Sequence, residues 1–550
     1  MFKRRLLLVL SLLAMLALGI ALPAVGQDAM MTQAECGADG YTGNFQSIEV
    51  LDDMTVQFTL CAPDPAFGSK VAFAAFPIQS SEYLESTSGG GDLVQNPVGT
   101  GPYRLENWDL GNEMVLTRFD EYWGDAAIEP TVILRWNSEA AARLVELQAG
   151  NVDGIAGVGA GDFEVVEADP NLTLLPGAIT NVFYLGLNNT KPPLDNQQVR
   201  QAIAHAIDKQ RIVDNFYPTG SEVATQFMPP VLFGFTEEVE PLEFNVELAN
   251  QMLDEAGFPR GDDGVRFELP LNYRDVVRVY LPTPGIVAAD LQAQLADVGI
   301  QLNIEQMESG AFLDASDAGE LSVYLLGWGM DYPDATNFLD FHFGVGASAQ
   351  FGEKFEEITG PLTQGGQLAD PADRHPFYVE ANTALRDLAP MVPIAHGSNA
   401  DAWNARIAGA YYPQVGQVAF GQLEDPDDDN IIYMQNAEPI SLYCADETDG
   451  ETFRACTQIS EALLAYDPDS GEVQPALAES WEVNEDATVW TFTLREGVQF
   501  HDGTTLDATD VYNSYMAWWD ASSPLHTGRD GNFTYFSSFF GGFLNAPAAE

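Results

Sequence analysis

The chain has 550 residues, with 82 acidic against 23 basic side chains and a formal net charge of −59. A surface of that sign repels nucleic acid and anionic lipid, and it suits a protein that stays hydrated in salty or extracellular surroundings. With 46% hydrophobic and 11% aromatic residues, the chain is not disordered, and its length calls for two or three lobes.

Residues 1–26 read as an export signal. Lys3, Arg4 and Arg5 form a positive start, Leu6 to Leu22 is a near-continuous apolar run, and Ala24, Val25 and Gly26 offer a small-residue cleavage site. The alternative is a retained anchor, because the run approaches the ~20 residues that span a bilayer. No Cys follows the run, so lipid attachment is not expected. Residues 27–43 read as a poorly ordered lead-in.

Val56, Phe58 and Leu60 alternate with Thr55, Gln57 and Thr59, the pattern of a half-buried strand. Residues 87–101 are rich in Gly, Ser and Pro and read as a loop. The middle third alternates helix and strand. Val199, Ala202, Ile203, Ala206 and Ile207 share one helix face after Asp195. Asn245 caps a helix carrying Leu248, Met252, Leu253 and Ala256, which Gly257 stops. Val287, Leu291, Leu295 and Val298 define another helix, stopped by Gly299, and Ile300, Leu302 and Ile304 then alternate as a strand. Leu321 to Leu326 reads as a buried strand, with Gly327-Trp-Gly-Met-Asp-Tyr-Pro-Asp334 following its end. This is α/β architecture. Glu424 to Asn430 is an acidic run that reads as a solvated linker. Trp490, Phe492 and Leu494 alternate as a last strand.

The four cysteines are Cys36, Cys61, Cys444 and Cys456. An even count in an exported chain favours disulfides. Sequence closeness favours Cys444–Cys456 and Cys36–Cys61 among the possible pairings.

Several blocks carry a resemblance: Asn96-Pro-Val-Gly-Thr-Gly-Pro-Tyr103, Val199-Arg-Gln-Ala-Ile203, Gly327-Trp-Gly-Met-Asp-Tyr332, Pro475-Ala-Leu-Ala-Glu-Ser-Trp481, Trp490-Thr-Phe-Thr-Leu-Arg495 and Phe500-His-Asp-Gly-Thr-Thr-Leu-Asp-Ala-Thr-Asp-Val511. Together they resemble the oligopeptide, dipeptide and nickel-binding solute-binding proteins of ABC importers (family 5). In that family the Pro475–Val511 block comes near the start of the mature chain; here it comes last. The resemblance therefore implies an α/β, two-lobed periplasmic-binding-protein type II fold with an extra third subdomain, circularly permuted. After the signal (1–26) and lead-in (27–40), the expected order is as follows. The extra subdomain's second half is 41–95, lobe I 96–185 and lobe II 186–399. Lobe I returns as the family's C-terminal end at 400–428 and its N-terminal beginning at 429–460. The extra subdomain's first half is 461–550.

In peptide-binding relatives the acid of the Trp-x-x-Asp segment pairs with the ligand's α-ammonium, and Asp331 matches it. Trp328 matches the tryptophan that walls a pocket, with Gly327 and Tyr332 beside them. Tyr184 and Asn188 lie where the family's chain crosses between lobes and where backbone can pair with an extended ligand. One departure stands out. The positions where relatives carry carboxylate-binding arginines are Ala315, Ser316 and Leu325 here. That keeps an oligosaccharide or other non-peptide solute open, with Trp328, Trp403, Tyr411, Tyr412 and Tyr184 as stacking candidates.

The six histidines lack metal-ligand spacing, the glycine-rich Gly157–Gly161 and Gly99–Gly101 lack a following phosphate-loop lysine, and no GxSxG is present. No catalytic residue, metal or cofactor is expected. The resemblance implies an exported, periplasmic or cell-surface binding protein, monomeric, that passes a peptide-like solute to membrane ABC permease subunits. The alternative from another class is a secreted hydrolase.

Overall fold

The computed structural model describes residues 30–38 and 40–546; the export signal expected over 1–26 lies outside them. Three sheets organise the chain, each with its own core.

The first is a five-stranded antiparallel sheet in the order Met31–Gln33, Phe45–Asp52, Thr55–Leu60, Val489–Leu494, Ala478–Val483. Both alternating segments are strands with every second side chain buried, and they pair directly, Val489 opposite Thr59 and Phe492 opposite Val56. Their inward faces meet the helices Ala508–Trp519 and Thr534–Phe540 in an aromatic core built on Phe45, Phe58, Phe67, Tyr515 and Phe536. Asp507 and Asp510 close a capping box at the start of the longer helix. The Asn44 amide donates to the Phe540 carbonyl at 2.6 Å. A Cβ on Gly43 would collide with the carbonyl oxygen of Gly542, so only glycine allows this approach. Residues 430–546 thus form no globule of their own.

The lead-in is ordered where it is described. Met31–Gln33 adds an edge strand, and the Cys36–Cys61 disulfide ties it down. The second disulfide is Cys444–Cys456.

Lobe I holds a seven-stranded sheet in the order Tyr103–Asp109, Glu113–Arg118, Thr131–Trp136, Ile431–Gln435, Gly154–Ile155, Ala400–Asn404, Leu172–Pro176. The acidic run before Ile431 is not simply a solvated linker. Asp425 is buried, accepts Arg406 Nε and Nη2 at 3.0 and 2.8 Å, and donates its amide to Glu129 at 2.8 Å; only its neighbours face water.

Lobe II holds a six-stranded sheet in the order Glu222–Val223, Met391–His396, Asn181–Leu187, Val323–Gly329, Phe267–Arg274, Ile300–Met307. Helices Gln197–Ala206, Val246–Glu255 and Pro284–Ala296 cover one face with the apolar stripes read from the sequence. Asn245 caps the second of them, accepting from the Leu248 amide at 2.9 Å. Helix Pro371–Leu388 covers the other face. Asn181–Leu187 is a central strand of this sheet, paired with Val323–Gly329 and Met391–His396. The Asn181 carboxamide pairs with both backbone groups of Gly397, at 2.8 and 2.9 Å, and ties the two crossing segments together.

Candidate functional site

Strand Val323–Gly329 runs parallel to Phe267–Arg274 in the middle of lobe II. Strand ends of this kind face the crevice where α/β folds place ligands. The loop that follows is held from within. Asn337, almost fully buried, accepts the Asp331 amide at 2.9 Å and the Trp328 indole N–H at 3.3 Å, and donates to Asp331 Oδ2 at 3.1 Å. Asp334 accepts two bonds from Arg374, both 2.8 Å, and caps Thr336. Tyr332 crosses into the aromatic core of the extra subdomain and packs edge-on against Phe539 at 4.9 Å.

This leaves Asp331 facing a cavity of about 310 Å³ enclosed by all three parts of the molecule. Phe73, Phe453, Leu464 and Tyr466 supply apolar walls, and Asp331 and Glu461 are its two carboxylates. The Tyr535 hydroxyl reaches across from the extra subdomain to Asp331 Oδ1 at 3.4 Å. Among the described residues Asp331 has no cationic partner. Burial pushes its carboxyl up, and the bonds from Asn337 and Tyr535 offset only part of that. Glu461 accepts Tyr122 O–H and Trp123 N–H, each at 2.8 Å, and burial pushes it up to about 6.

A second cavity of about 320 Å³ shares Met330, Val415 and Gly416 with the first. Arg278, Tyr280, Asn399 and Tyr412 line it. Arg278 is exposed, and its guanidinium's one hydrogen bond is to the neighbouring Val277 carbonyl at 3.0 Å. Both volumes fall within the usual range for small-molecule pockets. An unpaired acid and an unpaired base therefore stand in adjoining cavities.

The expected site residues separate on these terms. Asp331 faces the cavity. Trp328 does not follow the strand but belongs to it, opposite Val182. It stacks on Phe341 at 4.6 Å and acts on the cavity only through Asn337. Gly327 leaves room for the Tyr280 ring, which a Cβ would displace. Tyr332 anchors the loop rather than lining a cavity.

Tyr184 and Asn188 stand apart from the site, because both side chains are fully buried. Tyr184 lies among Phe227, Tyr324 and Phe351 and donates to Gln350 at 3.1 Å. Asn188 bonds Gly319 and Thr190. Their strand is paired on both edges, by Val323–Gly329 and Met391–His396, so its backbone has no free edge for an extended ligand. Of the five aromatic stacking candidates, only Tyr412 lines either cavity; Trp403 is also a core residue.

The residue that sequence reasoning missed is Arg278. No local pattern marks it: it lies just past the end of strand Phe267–Arg274, on the same sheet edge as Asp331, a relation that only strand pairing creates.

The sequence profile of the bacterial extracellular solute-binding proteins, family 5 (middle region), matches residues 22–350 and 472–533. The chain is 29% identical over 380 residues to the dipeptide-binding protein of Escherichia coli, covering 68% of this chain and 70% of that one. It is 28% identical over 381 residues to heme-binding protein A of Haemophilus influenzae, covering 68% and 69%. Among solved structures, HbpA2 from Haemophilus parasuis superposes with a TM-score of 0.65 at 31% identity, covering 70% of this chain and 76% of that chain. The periplasmic binding protein DppA from Helicobacter pylori, in complex with the peptide STSA, gives 0.55 at 26% identity, with 69% and 74% covered.

Proposed function

Because the chain belongs to the bacterial extracellular solute-binding proteins, family 5, we propose that it captures a peptide-like solute between its lobes and delivers it to the permease of an ABC importer. The observation that carries this reading is the pair of opposite charges in adjoining cavities. Among the described residues, the half-buried Asp331 has no cation in one, and Arg278 makes no ion pair in the other. A short zwitterionic peptide offers an ammonium and a carboxylate in that arrangement. A neutral oligosaccharide could use the rings that line the cavities but would leave both charges unmet. Glu461 and Asp331 could be taken for a hydrolase's carboxylate pair. However, the family consists of binding proteins.

The calorimetric test uses Ala-Ala-Ala, its N-acetylated form and its C-terminal amide. Acetylation should weaken binding about tenfold or more, the worth of one charge-assisted hydrogen bond, and amidation about threefold to tenfold, because Arg278 is exposed. Equal binding of all three removes the reading.

The order of the blocks belongs to the same proposal: the chain is a circular permutant of the family. The profile match in two separated stretches supports it, as do the pairing of Thr55–Leu60 with Val489–Leu494 and the contact of Asn44 with Phe540. A variant opened between Asp427 and Asp428, with residue 546 joined to residue 41, should fold and bind as the parent does. An unfolded product sinks the permutation. Export to the periplasm or cell surface, and a monomeric state, complete the reading.

A further inference from the structure

The cavity that holds Asp331 is lined by a second carboxylate and by no Lys, Arg or His. A single α-ammonium satisfies one of the two acids. Glu461 stands on the far wall, carried by the segment that leads into strand Leu464–Tyr466. Tyr122 donates to its Oε1 and Trp123 to its Oε2. Each carboxylate oxygen has two acceptor sites, so one remains on each. Arg495, whose charge is felt at Glu461, lies over the Trp123 ring at 4.4 Å and donates to the Ala476 carbonyl at 3.2 Å. It does not line the cavity. The same cavity is lined by Phe73, Phe453 and Leu464 and by the polar Gln417, Thr457 and Ser460. Apolar walls together with a second carboxylate suit a side chain with an aliphatic stem and a cationic tip.

We infer that this protein selects peptides whose first residue is lysine or arginine, with Asp331 taking the α-ammonium and Glu461 the side-chain cation. The inference rests on the peptide reading above and adds the class of peptide. A neutral first side chain leaves Glu461 buried without a cation, and an acidic one adds like-charge repulsion. Burial already pushes Glu461 up to about 6, as expected of a charge the chain itself does not fully meet. The net charge of −59 would also steer cationic peptides toward the cleft.

The experiment compares Lys-Ala-Ala with norleucine-Ala-Ala, which keeps the stem and removes the charge, by calorimetry at pH 7.5. Lys-Ala-Ala should bind about tenfold tighter or more, the worth of one charge-assisted bond. In Glu461→Gln that ratio should fall toward unity, with the norleucine peptide little changed. Glu461 also holds Tyr122 and Trp123, so the variant's thermal unfolding is recorded first. If it does not fold, the wild-type ratio decides alone. Equal or tighter binding of the norleucine peptide overturns the inference, and so does an unchanged ratio in a folded Glu461→Gln. Failure of both peptides to bind the folded wild type overturns the peptide reading itself, a result distinct from loss of selectivity.

Discussion

Two acids on one loop, Asp331 and Asp334, meet burial in opposite ways. The core-facing end of the loop carries Asp334, with Arg374 in a two-bond fork at 2.8 Å and the Tyr378 hydroxyl accepting from the same guanidinium at 2.9 Å. Burial alone would push Asp334 up, yet Arg374 holds it below the usual carboxylate range. The cavity-facing end carries Asp331, whose neighbours are neutral donors, Asn337 and Tyr535, and burial keeps it above that range. A buried acid whose cation lies in the chain is architecture. A buried acid whose cation must come from outside is a site. The loop needs both, because the ion pair holds the segment that aims Asp331.

The largest effect should come from breaking the architectural end. Arg374→Met leaves Asp334 buried and unpaired, which costs about 3–5 kcal/mol, read as a lowered midpoint in thermal unfolding. At temperatures where the variant is folded, it should still prefer a free over an acetylated peptide. A variant as stable as the parent would mean that Asp334 is not uncompensated without Arg374, and the contrast between the two acids would lose its basis.

Asp331→Asn probes the other end. Its stability should stay within about 0.5 kcal/mol of the parent, since no ion pair is lost and the amide can still hydrogen-bond Asn337 and the Tyr535 hydroxyl. Affinity for a free-amine peptide should fall about tenfold to a hundredfold, following the ~1.5–3 kcal/mol of a hydrogen bond to a charged group. A stability loss as large as that of Arg374→Met would make Asp331 a second structural acid. Arg278→Gln should act more weakly because Arg278 is exposed. About threefold to tenfold loss is expected for a free carboxylate, in line with the smaller worth of solvent-screened charges, and none for the amide.

How much of this was legible in the sequence follows from what each pattern encodes. Alternation at Val56–Leu60 and Trp490–Leu494 identifies strands and their inward faces. It cannot say that the two are neighbours, since pairing partners are chosen by the whole sheet. The Asn245 cap was legible because capping is local. Tyr184 was misread, although a signal was present. Asn181–Leu187 shows no alternation and is buried at every position, the mark of a central strand covered on both faces. Nothing local distinguishes Asp331 from Asp334, because Arg374 is supplied by a distant helix. Arg278 was illegible for the same reason: its relation to Asp331 exists only once two parallel strands end on one edge.

The smallest and most discriminating effect is the response of binding to pH. Asp331 sits above its ordinary value because it is buried, so the free protein holds a proton there that the unfolded chain has already released. Stability of the unliganded protein therefore falls as pH rises through the raised value, where the carboxylate becomes charged without a partner. A peptide ammonium supplies that partner. It favours the ionised acid, so affinity for a free-amine peptide is full above the raised value and lost as pH falls through it. The α-amino group remains protonated in that window, since its ordinary value is about 7.7–8.0. An acetylated peptide has no cation and favours the protonated acid, so its affinity should move the other way. Glu461, pushed up to about 6 by burial, makes its own contribution. Asp331→Asn isolates it: whatever slope the variant keeps belongs to Glu461, and the remainder is Asp331's. As pH falls through that raised value the wild type should lose about threefold to tenfold in affinity for Ala-Ala-Ala. Parallel slopes for the free and acetylated peptides would show that the ligand does not meet the Asp331 charge. The two ends of the loop would then differ in their partners within the chain but not in function.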